Sequence, residues 1–497
     1  YYGWGSSKSQ HVEIVISTSG STFTSIGGNT DGGTKVYIHR DYSFTSSDVV
    51  GFASATNGGE LGIESQYDEE LTGTNGTTYS YVDEGLEVTE TQKNAVDGNN
   101  IVTTLDYNVQ SIIEKCILEY NEEKPSKNTA VVVADPSNGE ILGMASYPTF
   151  NLNDPRKLTG MYTDEEIKDM SDEEYRNNLY SLWTNYCVSE SYEPGSTFKP
   201  VTVASALEEG VVKDGDTYVC KGFETVADYK LKCHVFSTIG SHGSLTVEQA
   251  LMNSCNPYMI HLALEMGNSR FAYYQSLFGF GKITGIDLPG ETTGIVYGDR
   301  MTTIDAACNS FGQTINVNMM QMMAAYCSII NGGMLYQPHI VKRIESANGE
   351  VVKEYKANLV RQTITASTSK LLRRYLKNTV EEGTAKKAGV TGYSVAGKTG
   401  TAQKGDRKDN KWIISFIGHA PAENPKFAIY VVIDEPYGTT GTSGSSADVL
   451  TLTHNILEKL LPYMNVYKDA SDEYEDTSSS PDELTVDGIP AGTASSN

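Results

Sequence analysis

Three short motifs, far apart along the chain, most constrain what this polypeptide can fold into. They read Ser-Thr-Phe-Lys at 196–199, Ser-Cys-Asn at 254–256 and Lys-Thr-Gly at 398–400. The second begins 58 positions after the first (254 − 196), and the third 202 positions after it (398 − 196). Together they supply a nucleophile, a proton relay and a strand edge for a peptide carboxylate, as acyl transfer through a serine ester requires. A fold that uses them must bring three distant segments into one pocket.

The first motif predicts a nucleophilic serine at the start of a helix. A Pro-Gly turn precedes Ser196, the run 201–207 favours a helix, and Gly210 is placed to end it. Unpaired N–H groups in a first helical turn favour developing negative charge. Because residues three apart share a helix face, we expect the Lys199 amine beside the Ser196 hydroxyl, where a lowered pKa would let it act as the base. Taken alone, the pair also fits a serine cap followed by an exposed lysine.

The second motif is predicted to lie in a tight loop between two helices. A capping-box pattern at 246–249 predicts a short helix to about Met252, and Pro257 can open the next helix. Ser254 and Asn256 can then face the same way. The hydroxyl could pass a proton to a leaving amine, and the amide could hold a substrate carbonyl or fix the lysine. An ordinary loop of turn-forming residues is the alternative.

The third motif predicts a strand edge that binds a peptide. The stretch 393–396 and the threonines after it suit a strand, and Gly400 suits close backbone approach. An edge strand can bind an extended peptide as one further strand. Lys398 would supply positive charge, while the hydroxyls of Thr399 and Thr401 could grip a carboxylate. A glycine-bent strand with threonines facing solvent is the alternative for this segment alone.

The order and spacing of these motifs, with further segments, resemble the class B, monofunctional penicillin-binding protein transpeptidases of the division and sporulation branch. Further matching segments lie at 134–145, 278–281, 284–291, 311–313 and 331–333, the first with an Asn-Gly hairpin turn. The resemblance implies an α+β sandwich, an antiparallel sheet flanked by helices, with a smaller N-terminal pedestal module.

The resemblance also implies roles for eight positions. The catalytic residues would be Ser196, Lys199, Ser254, Asn256 and Lys398, and the substrate-binding residues Thr399, Gly400 and Thr401. The serine would attack a D-Ala-D-Ala stem terminus of peptidoglycan, release the last D-Ala and pass the acyl group to the amine of a neighbouring stem. The backbone N–H groups of Ser196 and Thr401 are the predicted oxyanion donors. β-Lactams would leave the serine trapped as a slow ester, and no cofactor or metal is expected.

Four other functions share some of these features. A class A β-lactamase needs a Glu-x-x-Leu-Asn element after the second motif, and the acid nearest to that place, Glu291, does not match it. A D,D-carboxypeptidase would use water as the acceptor. The motifs do not distinguish this activity from acyl transfer to an amine. The resemblance to a pedestal module favours transfer. A non-enzymatic β-lactam sensor would need membrane helices and an intracellular output module, and a structural scaffold would need none of the motifs.

Composition limits the domain organisation and the partners. A length of 497 residues predicts two domains, which the resemblance implies to be a pedestal remnant at 1–97 and a transpeptidase domain at 98–466. The acidic, Ser-rich composition of 467–497 predicts a disordered tail. With 38 Lys and Arg against 63 Asp and Glu, the net charge of −25 argues against nucleic-acid binding.

The expected location is the extracytoplasmic face of the bacterial cell membrane. No segment is long and apolar enough to span a bilayer, no signal peptide is visible, and the chain opens without Met. Because the resembled family carries one N-terminal membrane helix, we expect an anchor upstream of this chain. The resemblance also implies a membrane-embedded glycan polymerase as partner.

A group of cysteines and histidines lies outside the three motifs, at Cys220, Cys233, His234 and His242. Ordinary structural residues are the preferred interpretation. A Cys220–Cys233 disulfide, which an extracytoplasmic setting would permit, comes second. Zinc comes third, because Cys and His are its preferred ligands but the spacing matches no standard finger. Separately, Cys255 places a thiol near the nucleophile.

Overall fold

The computed structural model describes residues 58–82, 88–158, 162–405, 411–436 and 446–470, residue 49, and strand segments at 11–16, 24–29, 35–39 and 53–54. Within these ranges no helix combines the length and the apolar character that crossing a bilayer requires. The unassigned fold of residues 1–33 and the predicted tail beyond residue 470 lie largely outside the described residues.

Short strands and two short helices make up the described part of the chain up to residue 103. In chain order they are β1 (His11–Ile16), β2 (Thr24–Asn29), β3 (Lys35–His39), β4 (Ala53–Ser54), β5 (Gly58–Gly59), α1 (Gly62–Gln66), α2 (Asp68–Leu71), β6 (Thr77–Val82), β7 (Val88–Lys93) and β8 (Asn100–Thr103).

The remaining described residues mix helices with strands. The helices are α3 (Tyr107–Glu123), α4 (Asp164–Asp169), α5 (Asp172–Trp183), α6 (Tyr186–Ser189), α7 (Lys199–Glu209), α8 (Val247–Met252), α9 (Asn256–Met266), α10 (Asn268–Leu277), α11 (Thr303–Asn309), α12 (Met319–Ile330), α13 (Ala366–Glu381) and α14 (Ser446–Tyr463). The strands are β9 (Ser126–Ala134), β10 (Ile141–Tyr147), β11 (Thr217–Cys220), β12 (Phe223–Val226), β13 (Tyr229–Lys232), β14 (Gly243–Thr246), β15 (Met334–Tyr336), β16 (Val341–Glu345), β17 (Val351–Glu354), β18 (Leu359–Gln362), β19 (Ala396–Lys404), β20 (Lys411–Ala420) and β21 (Phe427–Pro436).

A five-stranded antiparallel sheet in the order β10-β9-β21-β20-β19 forms the centre of the larger unit. Successive side chains of a strand point to opposite faces, and both faces of β9 are buried. Val131 and Val133 pack in one cluster with residues of α3 and α14, whereas Val132 packs in a second cluster with residues of α6 and α12. Each fully buried aliphatic side chain of this kind contributes about 1.5–3 kcal/mol. The predicted α+β sandwich, an antiparallel sheet with helices on both faces, is confirmed.

A second sheet crosses the predicted boundary at residue 98. Its six strands run in the order β17-β16-β8-β1-β2-β3, with β1 and β8 parallel and the other described pairs antiparallel. β16 and β17 follow each other in the chain, but β16 also pairs with β8, which lies more than two hundred residues earlier. The boundary therefore stays a prediction, since strands from both sides of it share hydrogen bonds.

Several local predictions agree with the structure because short-range chemistry determines them. Gly210 ends α7 in the left-handed region, at φ 75°. The Thr246–Gln249 capping box opens α8, and a proline stands in the first turn of α9. The prediction was wrong at the start of the third strand, which begins at Ala396 because residues 390 and 393 pair with each other in a turn. Asp469 accepts a hydrogen bond from the Ser394 N–H at 2.7 Å, so the start of the predicted tail is packed on the domain.

Candidate active site

Ser196 lies in a single 3-10 turn, Gly195–Phe198, that leads directly into α7. The turn brings the first motif against the third. Gly195 has φ 57°, and a Cβ added to it would come within 2.7 Å of the Thr401 carbonyl oxygen. A Cβ on Gly400 would come within 2.8 Å of the Pro194 carbonyl oxygen. Glycine at both positions therefore allows the serine turn to lie directly on β19.

The second motif holds the lysine of the first. The Lys199 amine donates to the Ser254 carbonyl at 2.6 Å, to Ser254 Oγ at 3.0 Å and to Asn256 Oδ1 at 2.7 Å. Ser254 has φ 53°, an uncommon conformation for a residue with a side chain. This backbone conformation accompanies the arrangement in which both the carbonyl and the hydroxyl of Ser254 face the amine.

A continuous chain of hydrogen bonds connects the predicted base to the predicted nucleophile. Ser254 Oγ lies 3.0 Å from Ser196 Oγ, to which it donates, and Lys199 donates to Ser254 in turn. The sequence predicted that the amine would lie beside Ser196. In the structure the Ser254 hydroxyl lies between them, so the path is Ser196–Ser254–Lys199.

Burial gives Lys199 the protonation chemistry that a base requires. Its side chain has no exposed surface, and burial lowers its pKa to about 8, although the neighbouring thiols of Cys233 and Cys255 favour the charged amine. A base is most effective when its pKa lies near the working pH. The neutral amine is therefore accessible close to neutral pH.

The third motif lies in β19, at an edge of the five-stranded sheet. Lys398 is fully buried, its amine donates to the Thr399 carbonyl at 3.1 Å, and burial together with the charge of Lys199 lowers its pKa well below the usual value. The Thr399 side chain is buried, whereas Thr401 is exposed. The structure thus places all eight predicted site residues on adjoining segments. Ser254 contacts both Ser196 and Lys199, and Lys199 also contacts Asn256. The Lys398 side chain contacts Thr399.

One part of the neighbourhood was missed from the sequence. The Sγ atoms of Cys220, Cys233 and Cys255 and a ring nitrogen of His242 all lie within 4.8 Å of one another. His234 was predicted to belong with Cys220, Cys233 and His242, but Cys255 takes the fourth place in the structure. The sequence signal was available in Cys255 itself, but 22 positions (255 − 233) and a helix separate it from Cys233.

Comparison with known proteins agrees with this arrangement. The family model of the penicillin binding protein transpeptidase domain matches residues 129–458, and that of the penicillin-binding protein dimerisation domain matches residues 29–103. Stage V sporulation protein D of Bacillus subtilis is 38% identical over 448 residues, which cover 87% of this chain and 66% of the relative. Peptidoglycan D,D-transpeptidase FtsI of Escherichia coli is 29% identical over 434 residues, which cover 85% of this chain and 66% of the relative. The chain thus spans just under two thirds of the length of these relatives.

Solved structures show the same fold. Penicillin binding protein 3 from Mycobacterium tuberculosis complexed with ampicillin superposes with a TM-score of 0.74 at 26% identity, covering 93% of this chain and 97% of that chain. The aztreonam complex superposes with a TM-score of 0.73 at 26% identity, covering 93% and 98%. With two domain matches in the expected order and three motifs converging on one serine, the chain belongs to the class B penicillin-binding protein transpeptidases of the division and sporulation type.

Proposed function

We propose that this chain is the catalytic part of a D,D-transpeptidase that cross-links peptidoglycan stem peptides through an acyl-enzyme on Ser196. The hydrogen-bonded path from Ser196 through Ser254 to a buried lysine is the observation on which the proposal rests. It provides a nucleophile together with the base and the proton route that activate it.

Acylation would begin with neutral Lys199 accepting the Ser196 proton by way of Ser254. Ser196 Oγ would attack the carbonyl carbon between the two D-alanines, and the N–H groups of Ser196 and Thr401 would stabilise the oxyanion. The C–N bond then breaks, and Ser254 returns a proton to the departing D-Ala amine. An amine from a second stem would then attack the ester carbonyl, the bond from the acyl carbon to Ser196 Oγ would break, and the proton lost by the amine would return along the same path to Ser196 Oγ.

The edge strand β19 would hold the donor peptide in this scheme. The terminal carboxylate of the peptide would accept hydrogen bonds from the hydroxyls of Thr399 and Thr401 and lie near the amine of Lys398. Burial disfavours a charge on Lys398, and an approaching carboxylate would favour it. Binding of an anionic terminus would therefore be coupled to protonation of this lysine.

The contacts of Glu291 support transfer over β-lactamase-like hydrolysis. Its carboxylate accepts hydrogen bonds from the Thr284 N–H at 2.7 Å, the Thr284 hydroxyl at 2.7 Å and the Gly285 N–H at 3.0 Å. An acid engaged in closing its own loop is not positioned to activate a water at Ser196. Glu291 therefore has a structural role in this loop.

Family membership also supports the proposed setting. The relatives carry the names of sporulation protein D and peptidoglycan D,D-transpeptidase FtsI, and related structures contain ampicillin and aztreonam. We place the catalytic domain on the extracytoplasmic face of the cell membrane, with β-lactams as inhibitors and a membrane-embedded glycan polymerase as partner.

The test of this proposal is covalent labelling with a fluorescent penicillin, followed by mass mapping of the adduct. We expect one ester on Ser196, absent in Ser196→Ala and retained in Ser181→Ala, which changes an exposed helical serine. Incorporation of a labelled D-amino acid into a D-Ala-D-Ala peptide would then distinguish transfer from hydrolysis. Labelling that survives in Ser196→Ala would refute the assignment.

A further inference from the structure

Four potential metal ligands meet beside the second motif, and they come from four separate places in the chain. Cys220 ends β11, Cys233 directly follows β13, His242 directly precedes β14, and Cys255 is the residue before α9. The three thiols are buried and His242 is partly buried. None of the three cysteines forms a disulfide in the described part of the chain.

The spacing of the donor atoms fits a tetrahedral ion. His242 Nδ1 lies 3.7 Å from Cys220 Sγ and 3.5 Å from Cys233 Sγ. Bonds of about 2.3 Å to sulfur and 2.0–2.1 Å to nitrogen place the two ligand atoms of a tetrahedral zinc about 3.6 Å apart. The two His242 separations are therefore those that one zinc ion would span, and the remaining donor atoms lie within 4.8 Å of one another.

The surroundings of the sulfurs are suited to thiolates. The Gly222 N–H donates to Cys220 Sγ at 3.4 Å, and Gly222, at φ 85°, lies so close to the Gly240 carbonyl that no side chain fits there. Cys255 stands at the N-terminus of the eleven-residue helix α9, where the helix dipole favours negative charge. Outer contacts of this kind orient metal ligands and tune them.

The strands that carry these ligands form small units, which a metal ion would tie together. β11 with β14, and β12 with β13, form two separate two-stranded ladders of four residues each. Isolated two-stranded ribbons are marginal in water, and small units commonly need a disulfide or a metal. Val219, Tyr229 and Ile239, all in this region, are 57%, 61% and 71% exposed, so they supply little of a core.

We propose that Cys220, Cys233, His242 and Cys255 bind one structural zinc ion that fixes the Ser-Cys-Asn loop against Lys199. The expectation of no metal, drawn from the family resemblance, is thereby revised. Cys255 stands between Ser254 and Asn256, both of which bond the Lys199 amine. Anchoring the middle residue of the motif positions its two neighbours. The ion is a positioning element, and no step of acyl transfer passes through it. Its predicted effect on acylation rests on the proposed function.

The first test is the metal content of the chain purified without chelators. We expect one zinc per chain by elemental mass spectrometry. Replacement by Co²⁺ should give thiolate charge-transfer bands and the visible absorption of a tetrahedral centre. Cys220→Ser should lose the metal, and Cys308→Ser should keep it, since Cys308 is a half-buried cysteine outside the cluster. Titration of Co²⁺ into the metal-free wild type gives an answer that does not depend on the folding of any variant.

A second pair of variants tests the fourth ligand. His234 Nδ1 lies 3.9 Å from Cys233 Sγ, and its ring is 5.3 Å from that of His242. We expect His242→Ala to lose the metal and His234→Ala to retain it. The reverse result would overturn the assignment of His242.

Two outcomes would overturn the site itself. One is a protein that purifies without metal, gives no Co²⁺ spectrum in its native state and has all seven thiols titratable after denaturation. The other is a protein with five titratable thiols (7 − 2) and a disulfide between Cys220 and Cys233.

The positioning role has a separate readout. Removal of zinc should slow penicillin acylation of Ser196 by at least about tenfold, and zinc should restore the rate. Equal rates with and without zinc would refute the positioning role. Failure of the zinc-loaded protein to acylate at all would refute the proposed function and leave the metal count intact.

Discussion

Lys199 combines the contacts of a structural centre with the burial that its proposed role as a base requires. Its amine donates to three oxygens of the second motif, yet the side chain is fully buried, and burial moves its pKa to about 8. The oxygens fix the position of the amine, and burial allows it to lose a proton. Arginine at this position could make similar bonds but would not deprotonate in a protein.

The first prediction concerns that substitution. Lys199→Arg should slow penicillin acylation by about 10²–10⁴-fold, the usual contribution of a general base. The matched control is Lys115→Arg, which changes an exposed lysine of α3, 81 positions before the first motif (196 − 115), and should keep the wild-type rate. The rate constants come from time courses of fluorescent penicillin labelling. Wild-type acylation by Lys199→Arg would show that this amine is not the base.

A second prediction at the residue scale concerns pH. Because burial lowers the pKa of Lys199, the neutral amine accumulates as pH rises through about 8, and an ordinary lysine would require about 10.4. The acylation rate constant should therefore increase with pH and level off above about 8. A profile measured from pH 6 to 10 that is still rising at pH 10, without levelling off, would contradict a lowered pKa.

At the scale of single elements, the turn before α7 determines how closely two motifs approach. Gly195 also donates its N–H to the Gly312 carbonyl at 2.9 Å, so it lies between β19 and the segment after α11. A side chain there would push at least one neighbour away. The geometry of the predicted oxyanion donors thus depends on a residue that has no functional group.

A matched pair of glycines at the two ends of α7 tests this dependence. Gly195→Ala and Gly210→Ala both place alanine in the left-handed region, which should cost each variant about 1–2 kcal/mol of stability. Only the first introduces a clash, because no atom lies within 4 Å of a Cβ at Gly210. We expect Gly195→Ala alone to lose acylation, which penicillin labelling measures. Thermal unfolding of both variants measures their stability. Equal acylation in the two variants would contradict the dependence.

The elements that could be predicted from sequence are those with local causes. The capping box of α8, the glycine that ends α7 and the hairpin of β9 and β10 each depend on residues a few positions apart. The start of β19 was misplaced, because a turn pairing at 390 and 393 uses the residues before Ala396. Strand propensity does not take such a competing contact into account.

At the scale of the whole molecule, long-range contacts join the two units, and sequence patterns do not reveal them. The carboxylate of Asp287 accepts the N–H groups of Ile340 and Val341 at 2.6 and 2.8 Å and the Tyr67 hydroxyl at 3.0 Å. Tyr67 lies 220 positions before Asp287 in the chain. The place of Cys255 beside Cys220, Cys233 and His242 was missed for the same reason, since the packing of α9 on the strands before it brings this residue there.

A prediction for the whole molecule follows from that carboxylate. Asp287→Asn should lower the free energy of unfolding by about 1–3 kcal/mol. The amide lacks the negative charge, and its NH₂ group would face N–H and O–H groups that need an acceptor. Asp299→Asn changes an exposed carboxylate and should be nearly neutral. Thermal unfolding measures both, and the penicillin acylation rate should be unchanged in each. A fully stable Asp287→Asn would show that this junction does not hold the units together.

The close backbone approach at Gly195 also limits how the protein can evolve under antibiotic selection. Any side chain at 195 meets the carbonyl of Thr401, so heritable resistance cannot readily arise by reshaping the main chain at this point. Thr401 itself presents an exposed side chain on the neighbouring strand. Drug-selected lineages should therefore accumulate their changes among exposed side chains of this kind, while the glycine stays invariant.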